Sequence, residues 1–358
     1  MENKSQKQKV VFTGGGSGGH VFPNKPLIDH YLDQYEVIYI GSKGGMEEKL
    51  VVDWGVRYIP IIAGKLRRYM SLQNALDIFK VFLGIFQCIY ILDREKPVFV
   101  FSKGGFVSVP VAIAAKVLSI TVFVHEADMT PGLANKIASR FATHIFLTFP
   151  PQSVSSRKYT VSGLPLRPQI YTADKNRGRA FLGLEVNTKP ILLVLGGSLG
   201  ATPVNSLIVR NLDKLTEVFS IVHIAGKGKT DAGLSHADYK QYEFLGTEIY
   251  DVIAASDVVV SRAGANSVIE LMTLEKPTLL VPLTLSQSRG DQIENAKYFE
   301  SIGACAVLHE ELLTDEIFIK MVNAVYRDSG KYIEKIKELA LPRAENIIIE
   351  KIGEYIKK

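Results

Sequence analysis

The feature that most restricts what this chain can fold into occurs twice. A short apolar run, Val10-Val11-Phe12, leads through Thr13 into Gly14-Gly15-Gly16-Ser17-Gly18-Gly19-His20, and residues Lys25 to Leu32 then place apolar side chains at helical spacing. Much later, Ile191-Leu192-Leu193-Val194-Leu195 leads into Gly196-Gly197-Ser198-Leu199-Gly200 and a second helical run. Glycine has no Cβ, so these turns can bend tightly and let the backbone approach a ligand. N–H groups at the start of a following helix, with the positive end of its dipole, favour an anion there. A histidine at the end of such a loop adds a group that exchanges a proton near neutral pH. A tight structural turn would use the same glycines.

Between the two loops, short apolar strands alternate with helical patterns. Strands are expected at Val37–Ile40, Ile59–Ile62, Val98–Phe101, Thr121–Val124 and His144–Leu147. After the second loop they are expected at Ser220–Ala225, Val258–Ser261 and Thr278–Val281. This alternation implies parallel sheets covered on both faces, with ligands at the strand C-terminal ends. At 358 residues the chain exceeds one ordinary core. The pattern breaks at Val161-Ser162-Gly163-Leu164-Pro165-Leu166-Arg167-Pro168, a plausible hinge. The expected architecture is therefore α/β, with two doubly wound, Rossmann-like domains whose parallel sheets face across a cleft. The boundaries are 1–163 and 164–341, and a helix at about 342–358, amphipathic over Arg343–Tyr355, returns to the first domain.

Hydrophobic content of 47% and charged content of 22% describe a folded globular chain. The net charge of +5 is uneven, because residues 1–165 hold 19 Lys and Arg against 12 Asp and Glu. That surplus suggests an anionic partner on the first half. Nucleic acid is disfavoured, since no recognised fold motif appears and aromatics do not interleave with the basic residues. Cys88 and Cys305 match no metal-ligand spacing and read as reduced, buried thiols. The polar start MENKSQKQK and the short apolar run behind it do not make a signal peptide, and no run of about 18 apolar residues exists to span a membrane. Lys65, Arg67 and Arg68 precede an apolar stretch, Leu72–Leu92. There Leu72, Leu76, Phe79, Leu83, Phe86 and Tyr90 form one helical stripe, assigned to the core. Ile78, Phe82 and Ile85 point elsewhere, as a patch that would lie on a membrane surface. A nicotinamide-binding domain would end its second strand in an acidic residue; here the positions read Gly41-Ser42-Lys43 and Gly226-Lys227-Gly228, which argues against hydride transfer.

Two further constellations lie in the second half. Ser261-Arg262-Ala263-Gly264-Ala265-Asn266-Ser267-Val268-Ile269-Glu270 follows a strand, so its small residues open a helix whose N–H groups suit a phosphate. Glu270 then offers a carboxylate to the hydroxyls of a ribose, although an isolated helix glutamate is more often simply solvated. In Asp291-Gln292-Ile293-Glu294-Asn295-Ala296 the amides of Gln292 and Asn295 share a helix face and suit sugar hydroxyls, which both donate and accept. No Asp-X-Asp follows a strand to hold a metal. His144 and His223 lie in strands and read as core residues, and a supporting role for His125 stays open.

Taken in order, GGGSGGHVFP, GKLRR, SKGGFVS, HEADMTPGLANK, GLPLR, LGGSLGA, SRAGANSVIE and DQIENA resemble glycosyltransferase family 28, of the GT-B superfamily, over Val10 to about Ala306. The resemblance implies an inverting enzyme that moves N-acetylglucosamine from UDP-GlcNAc to the 4-hydroxyl of the muramoyl sugar of lipid I, a polyprenyl-diphosphate acceptor. The product would be lipid II, the peptidoglycan precursor, made at the cytoplasmic face of the membrane on its anionic surface. It implies no cofactor and no metal. His20 would be the catalytic base. The donor would meet Ser17, Gly18, Gly19, Asp128, Arg167, Ser198, Leu245 (through its backbone), Ala265, Asn266, Ser267, Val268, Ile269, Glu270, Gln292 and Asn295. Gly104, Gly105, His125 and Glu126 would lie on the acceptor side. Two positions depart from the pattern: Ala127-Asp128 replaces a Gln-Asn pair after His125-Glu126, and Asp291-Gln292 replaces two glutamines. Other readings of the same fold are a UDP-sugar 2-epimerase, a diacylglycerol glucosyltransferase, or a silent nucleotide-sugar-binding scaffold.

Overall fold

A computed structural model describes residues 7–64, 72–151, 157–186, 189–196 and 201–356, without the side chains of residues 72–76. The expected roles of Lys65, Arg67, Arg68 and Ser198, and the stripe positions Leu72 and Leu76, fall outside that description. The chain divides into two units, Met1–Arg167 with Pro342–Lys358, and Pro168–Leu341.

The first unit runs β1 (Lys9–Thr13), α1 (Lys25–Leu32), β2 (Glu36–Ser42), α2 (Met46–Asp53), β3 (Arg57–Ile61), α3 (Leu72–Glu95), β4 (Phe99–Ser102), α4 (Ser108–Val117), β5 (Thr121–Glu126), α5 (Leu133–Phe141), β6 (His144–Leu147) and β7 (Tyr159–Val161). The seven strands form one parallel sheet in the order β3-β2-β1-β4-β5-β6-β7. The central strands are apolar on both faces because helices cover both. Phe12, Phe101, Phe123 and Phe146 stack across one face with Leu27, Ile28 and Tyr31. Val11, Val100, Val122 and Val124 line the other, against Cys88, Leu92, Val111 and Ala115.

The second unit runs α6 (Lys175–Phe181), β8 (Ile191–Leu195), α7 (Thr202–Arg210), α8 (Leu212–Thr216), β9 (Ser220–Ile224), β10 (Tyr239–Tyr242), α9 (Ile249–Ala255), β11 (Val258–Ser261), α10 (Ala265–Thr273), β12 (Thr278–Leu280), α11 (Asp291–Ser301), β13 (Ala306–Val307), α12 (Asp315–Arg327) and α13 (Ser329–Glu338). Its parallel sheet has the order β10-β9-β8-β11-β12-β13. A last helix, α14 (Ala344–Ile356), belongs to the first unit. Ile348 and Ile352 are fully buried in the aromatic face, and the Tyr355 ring meets Phe123 edge-on at 5.5 Å. Arg167, expected in the second domain, packs in the first unit, where its guanidinium lies 5.5 Å above the Phe22 ring.

β7, β10 and β13 were not among the expected strands. Each is a sheet edge, polar or very short, and so lacks the apolar run that two buried faces produce. The assignment of faces on α3 needs correction. Phe79 (61%), Leu83 (38%), Phe86 (68%) and Tyr90 (68%), expected in the core, are exposed together with Ile78 and Phe82, while Ile85 is half-buried. The inward stripe is Asp77, Gly84, Cys88 and Leu92. Gly84 decides this: a Cβ there would collide with the Ile62 carbonyl and crowd Pro110 of α4, so the helix seats its smallest residue against its neighbours. Among the described residues no helix is long and apolar enough to cross a membrane.

Candidate active site

In the first unit, β1 lies between β2 and β4, where the strand order reverses, and the loops after β1 and β4 leave their C-terminal ends, the place where open α/β sheets bind ligands. Gly14 and Gly15 are buried, Gly16 and Ser17 are exposed, and Gly18, Gly19 and His20 are half-buried. The glycines are needed for close approach. A Cβ on Gly14 would strike the His20 carbonyl, and one on Gly105 would strike the Gly15 carbonyl. Gly104 and Gly105 adopt φ of +101° and +83°, the left-handed region, and the Gly15 N–H donates to the Gly104 carbonyl at 3.3 Å. The two glycine loops therefore pack backbone against backbone.

The first loop does not enter α1 directly, as the spacing suggested. Two 3₁₀ turns, Gly18–His20 and Phe22–Asn24, intervene, so the group at the loop's end is the His20 turn rather than the start of α1. Buried side chains brace the loop from below. Tyr39 Oη donates to the Gly14 carbonyl at 2.7 Å and accepts from Asn24 Nδ2 at 3.2 Å. Glu47, fully buried at the start of α2, accepts from the Gly16 N–H at 3.3 Å and from the Ser42 N–H at 3.0 Å, and from the Ser42 hydroxyl. A Cβ on Gly15 or Gly45 would press into that carboxylate. Glu47 has no sequence signal beyond standing two residues after Gly45.

At the end of β5, His125 is fully buried, with Nε2 donating to the Gly163 carbonyl at 2.9 Å. Burial and the Lys103 ammonium hold its pKa well below the ordinary imidazole value, so the ring is neutral. Glu126 accepts from the Asp128 N–H at 3.0 Å and from Asn135 Nδ2 at 2.8 Å, and burial raises its pKa. His125 and Glu126 are thus buried at the end of β5, and Asp128, two residues on, is half-buried. Lys103 follows β4 and is fully buried. Neither Lys103 nor Asn135 was singled out as a site residue, although both stand inside recognised motifs. His144 and His223 are buried as expected, bonded to Thr160 and Tyr355, and to Asn205 and Tyr239.

In the second unit, β11 lies beside β8, again at the reversal of strand order. Gly264 turns the chain into α10 in extended conformation, and no side chain among the described residues caps the helix. Val268 N–H bonds the Gly264 carbonyl, so the N–H groups of Ala265, Asn266 and Ser267 precede the first helical bond and point out of the helix start. Glu270 sits one turn further on and accepts from Tyr250 Oη at 2.9 Å, which fixes one carboxylate oxygen. Gln292 turns its Oε1 inward to accept the Leu283 N–H at 3.1 Å. Asn295 is fully buried and donates to the Ala263 carbonyl at 3.2 Å, which braces the turn before α10. Arg262 and Glu310 form a largely buried ion pair behind this turn, and Arg262 also donates to the Val281 carbonyl. Leu245 is half-buried between β10 and α9.

Residues 10–147 match the glycosyltransferase family 28 N-terminal domain, and residues 191–350 match its C-terminal domain. A Clostridium botulinum (strain Hall) protein is 44% identical over 354 residues, covering 98% of this chain and all of that one. It is a UDP-N-acetylglucosamine–N-acetylmuramyl-(pentapeptide) pyrophosphoryl-undecaprenol N-acetylglucosamine transferase. The Staphylococcus aureus (strain MRSA252) protein of the same name is 44% identical over 349 residues, covering 96% of this chain and 98% of that one. The crystal structure of Acinetobacter baumannii MurG shares the fold, with a TM-score of 0.77 at 24% identity, over 97% of this chain and 99% of that chain.

Proposed function

The chain belongs to glycosyltransferase family 28, and from that premise we infer that it transfers N-acetylglucosamine from UDP-GlcNAc to the 4-hydroxyl of the N-acetylmuramoyl sugar of lipid I, making lipid II for peptidoglycan. The observation that carries this reading is identity of 44% along nearly the whole of both chains with transferases of that name.

The residues suit the chemistry. In an inverting transfer the bond from acceptor O4 to C1 of the donor sugar forms as the bond from C1 to the UDP oxygen breaks. The acceptor proton must leave as this happens, and the imidazole of His20 is the group assigned to take it. UDP departs with added negative charge on its diphosphate. The N–H groups of Ala265, Asn266 and Ser267 at the uncapped start of α10 suit that charge. Glu270, with one oxygen held by Tyr250, is assigned to the ribose hydroxyls, and Gln292 Nε2 to the sugar. Ser17, Gly18, Gly19 and Arg167 are assigned to the donor from the first unit, and Gly104 and Gly105 to the acceptor.

The lipid substrate calls for a membrane-facing surface, and the exposed face of α3 supplies a candidate. Ile78, Phe79, Phe82, Leu83, Phe86 and Tyr90 are all exposed on one helix. Lys65, Arg67 and Arg68 precede it in sequence, and each cation near an anionic leaflet adds roughly 1 kcal/mol. We assign this face to the anionic cytoplasmic membrane surface. The test of the activity is to supply labelled UDP-GlcNAc with lipid I or a short-chain analogue. Label in the disaccharide lipid is expected; its absence overturns the reading.

A further inference from the structure

Lys103 stands directly after β4, completely enclosed, and its ammonium has no hydrogen-bond partner among the described residues. An isolated buried ammonium is costly, and the ordinary outcome is a partner or a lost proton. The register of β4 against β5 pairs Ser102 with Val124, so Lys103 comes level with His125, the residue before Glu126. Its charged neighbours are Glu126 and Asp128, both of which favour its protonated form. On its other sides stand neutral groups: His125, the Asn135 amide of α5 near Gly104, and Gly14 with Asn24 close by.

Glu126 in turn has a demanding task. Both of its oxygens accept hydrogen bonds, one from the Asp128 N–H and one from Asn135. A carboxylate serves both donors well, whereas a carboxylic acid turns one oxygen into a donor. Burial and the Asp128 charge push Glu126 toward the acid form; the hydrogen bonds from the Asp128 N–H and Asn135 oppose them, and the Lys103 ammonium adds to that opposition.

We propose that Lys103 is a positioning residue for the transfer: its buried ammonium keeps Glu126 a carboxylate, and Glu126 in that form fixes the turn Ala127–Asp128–Met129 and the Asn135 side chain beneath the glycine loops. This rests on the transferase reading. Burial lowers the Lys103 pKa to about 8, so the residue is charged at neutral pH and below. Without the ammonium the protonation of Glu126 moves to higher pH, and alkali alone should restore the carboxylate.

The experiment compares kcat/KM from about pH 6 to about pH 9 for the wild type, Lys103→Met and Glu126→Gln. UDP affinity serves as a check on folding, and infrared titration follows the Glu126 carboxyl band, identified by its loss in Glu126→Gln. Lys103→Met should lose about tenfold or more near pH 6 and recover to within about threefold of wild type near pH 9, since the ionised fraction of a carboxyl falls about tenfold for each pH unit below its midpoint. Its Glu126 band should titrate at higher pH than in the wild type. Glu126→Gln should stay low without alkaline recovery. A loss in Lys103→Met that does not depend on pH, or a Glu126 band that titrates where the wild type's does, overturns the proposal. Should Lys103→Met fail to fold, Lys103→Gln replaces it under the same criteria. A wild type that binds UDP yet transfers nothing defeats the functional reading instead, and the infrared titration then judges Lys103 alone.

Discussion

Glu270, proposed to hold the ribose, is oriented by Tyr250. The phenol hydroxyl fixes one carboxylate oxygen at 2.9 Å, so little freedom remains to be lost when a diol arrives. Glu270→Ala should weaken UDP binding by about 1–3 kcal/mol, measured by calorimetry, the range for hydrogen bonds to a charged group. His20→Ala should lower kcat by about 10² to 10⁴ with UDP affinity nearly unchanged, because a general base acts in the transition state and not in nucleotide binding. Near-normal turnover in that variant would remove His20 from the role. The positions of these two residues can be read from the chain because each lies in a segment rich in small residues that follows a strand; their roles are the ones proposed above. Glu47 cannot be placed that way. Its carboxylate reaches the Gly16 N–H from α2, thirty-one residues away in sequence, and nothing local in the chain announces that contact. Asn295 shares a helix with Gln292, as the spacing suggests, but its bond to the Ala263 carbonyl, thirty-two residues away in sequence, could not be read from that spacing.

At the scale of elements, buried strands were legible nearly to the residue, as with His144–Leu147, Ile191–Leu195 and Val258–Ser261, because a strand covered on both faces must be apolar throughout. α3 was harder. Its two apolar stripes are equally periodic, and which one turns inward depends on α4 and the Ile62 carbonyl, through Gly84. Gly84→Val should therefore destabilise the first unit by about 1–3 kcal/mol in urea unfolding, the usual cost of forcing volume into a packed contact. Phe82→Ser with Phe86→Ser touches only exposed positions. The pair should leave the unfolding transition in place while lowering retention on vesicles rich in anionic lipid, scored by co-sedimentation. Unchanged retention would free this face from the membrane assignment.

Across the whole molecule, three imidazoles are buried and neutral: His125 well below its ordinary value, and His144 and His223 lowered to about 4. The unfolded chain would bind protons at these sites near the ordinary 6.5 while the folded chain does not, so stability must fall as pH drops from about 6.5 toward 4. Chemical denaturation at neutral and mildly acid pH should record that loss, and His144→Phe should reduce it. His144 also accepts a contact from Tyr355 on α14, which ties this pH dependence to the last helix of the chain. That helix carries a consequence for biosynthesis. The second unit is one continuous stretch, Pro168–Leu341, whereas the first lacks Ile348 and Ile352 of its aromatic core until the residues after that stretch have been made. The later-encoded unit therefore has all of its parts first, and the earlier one stays an unfinished sheet until its closing piece follows, a reversal of the usual N-to-C order of domain maturation.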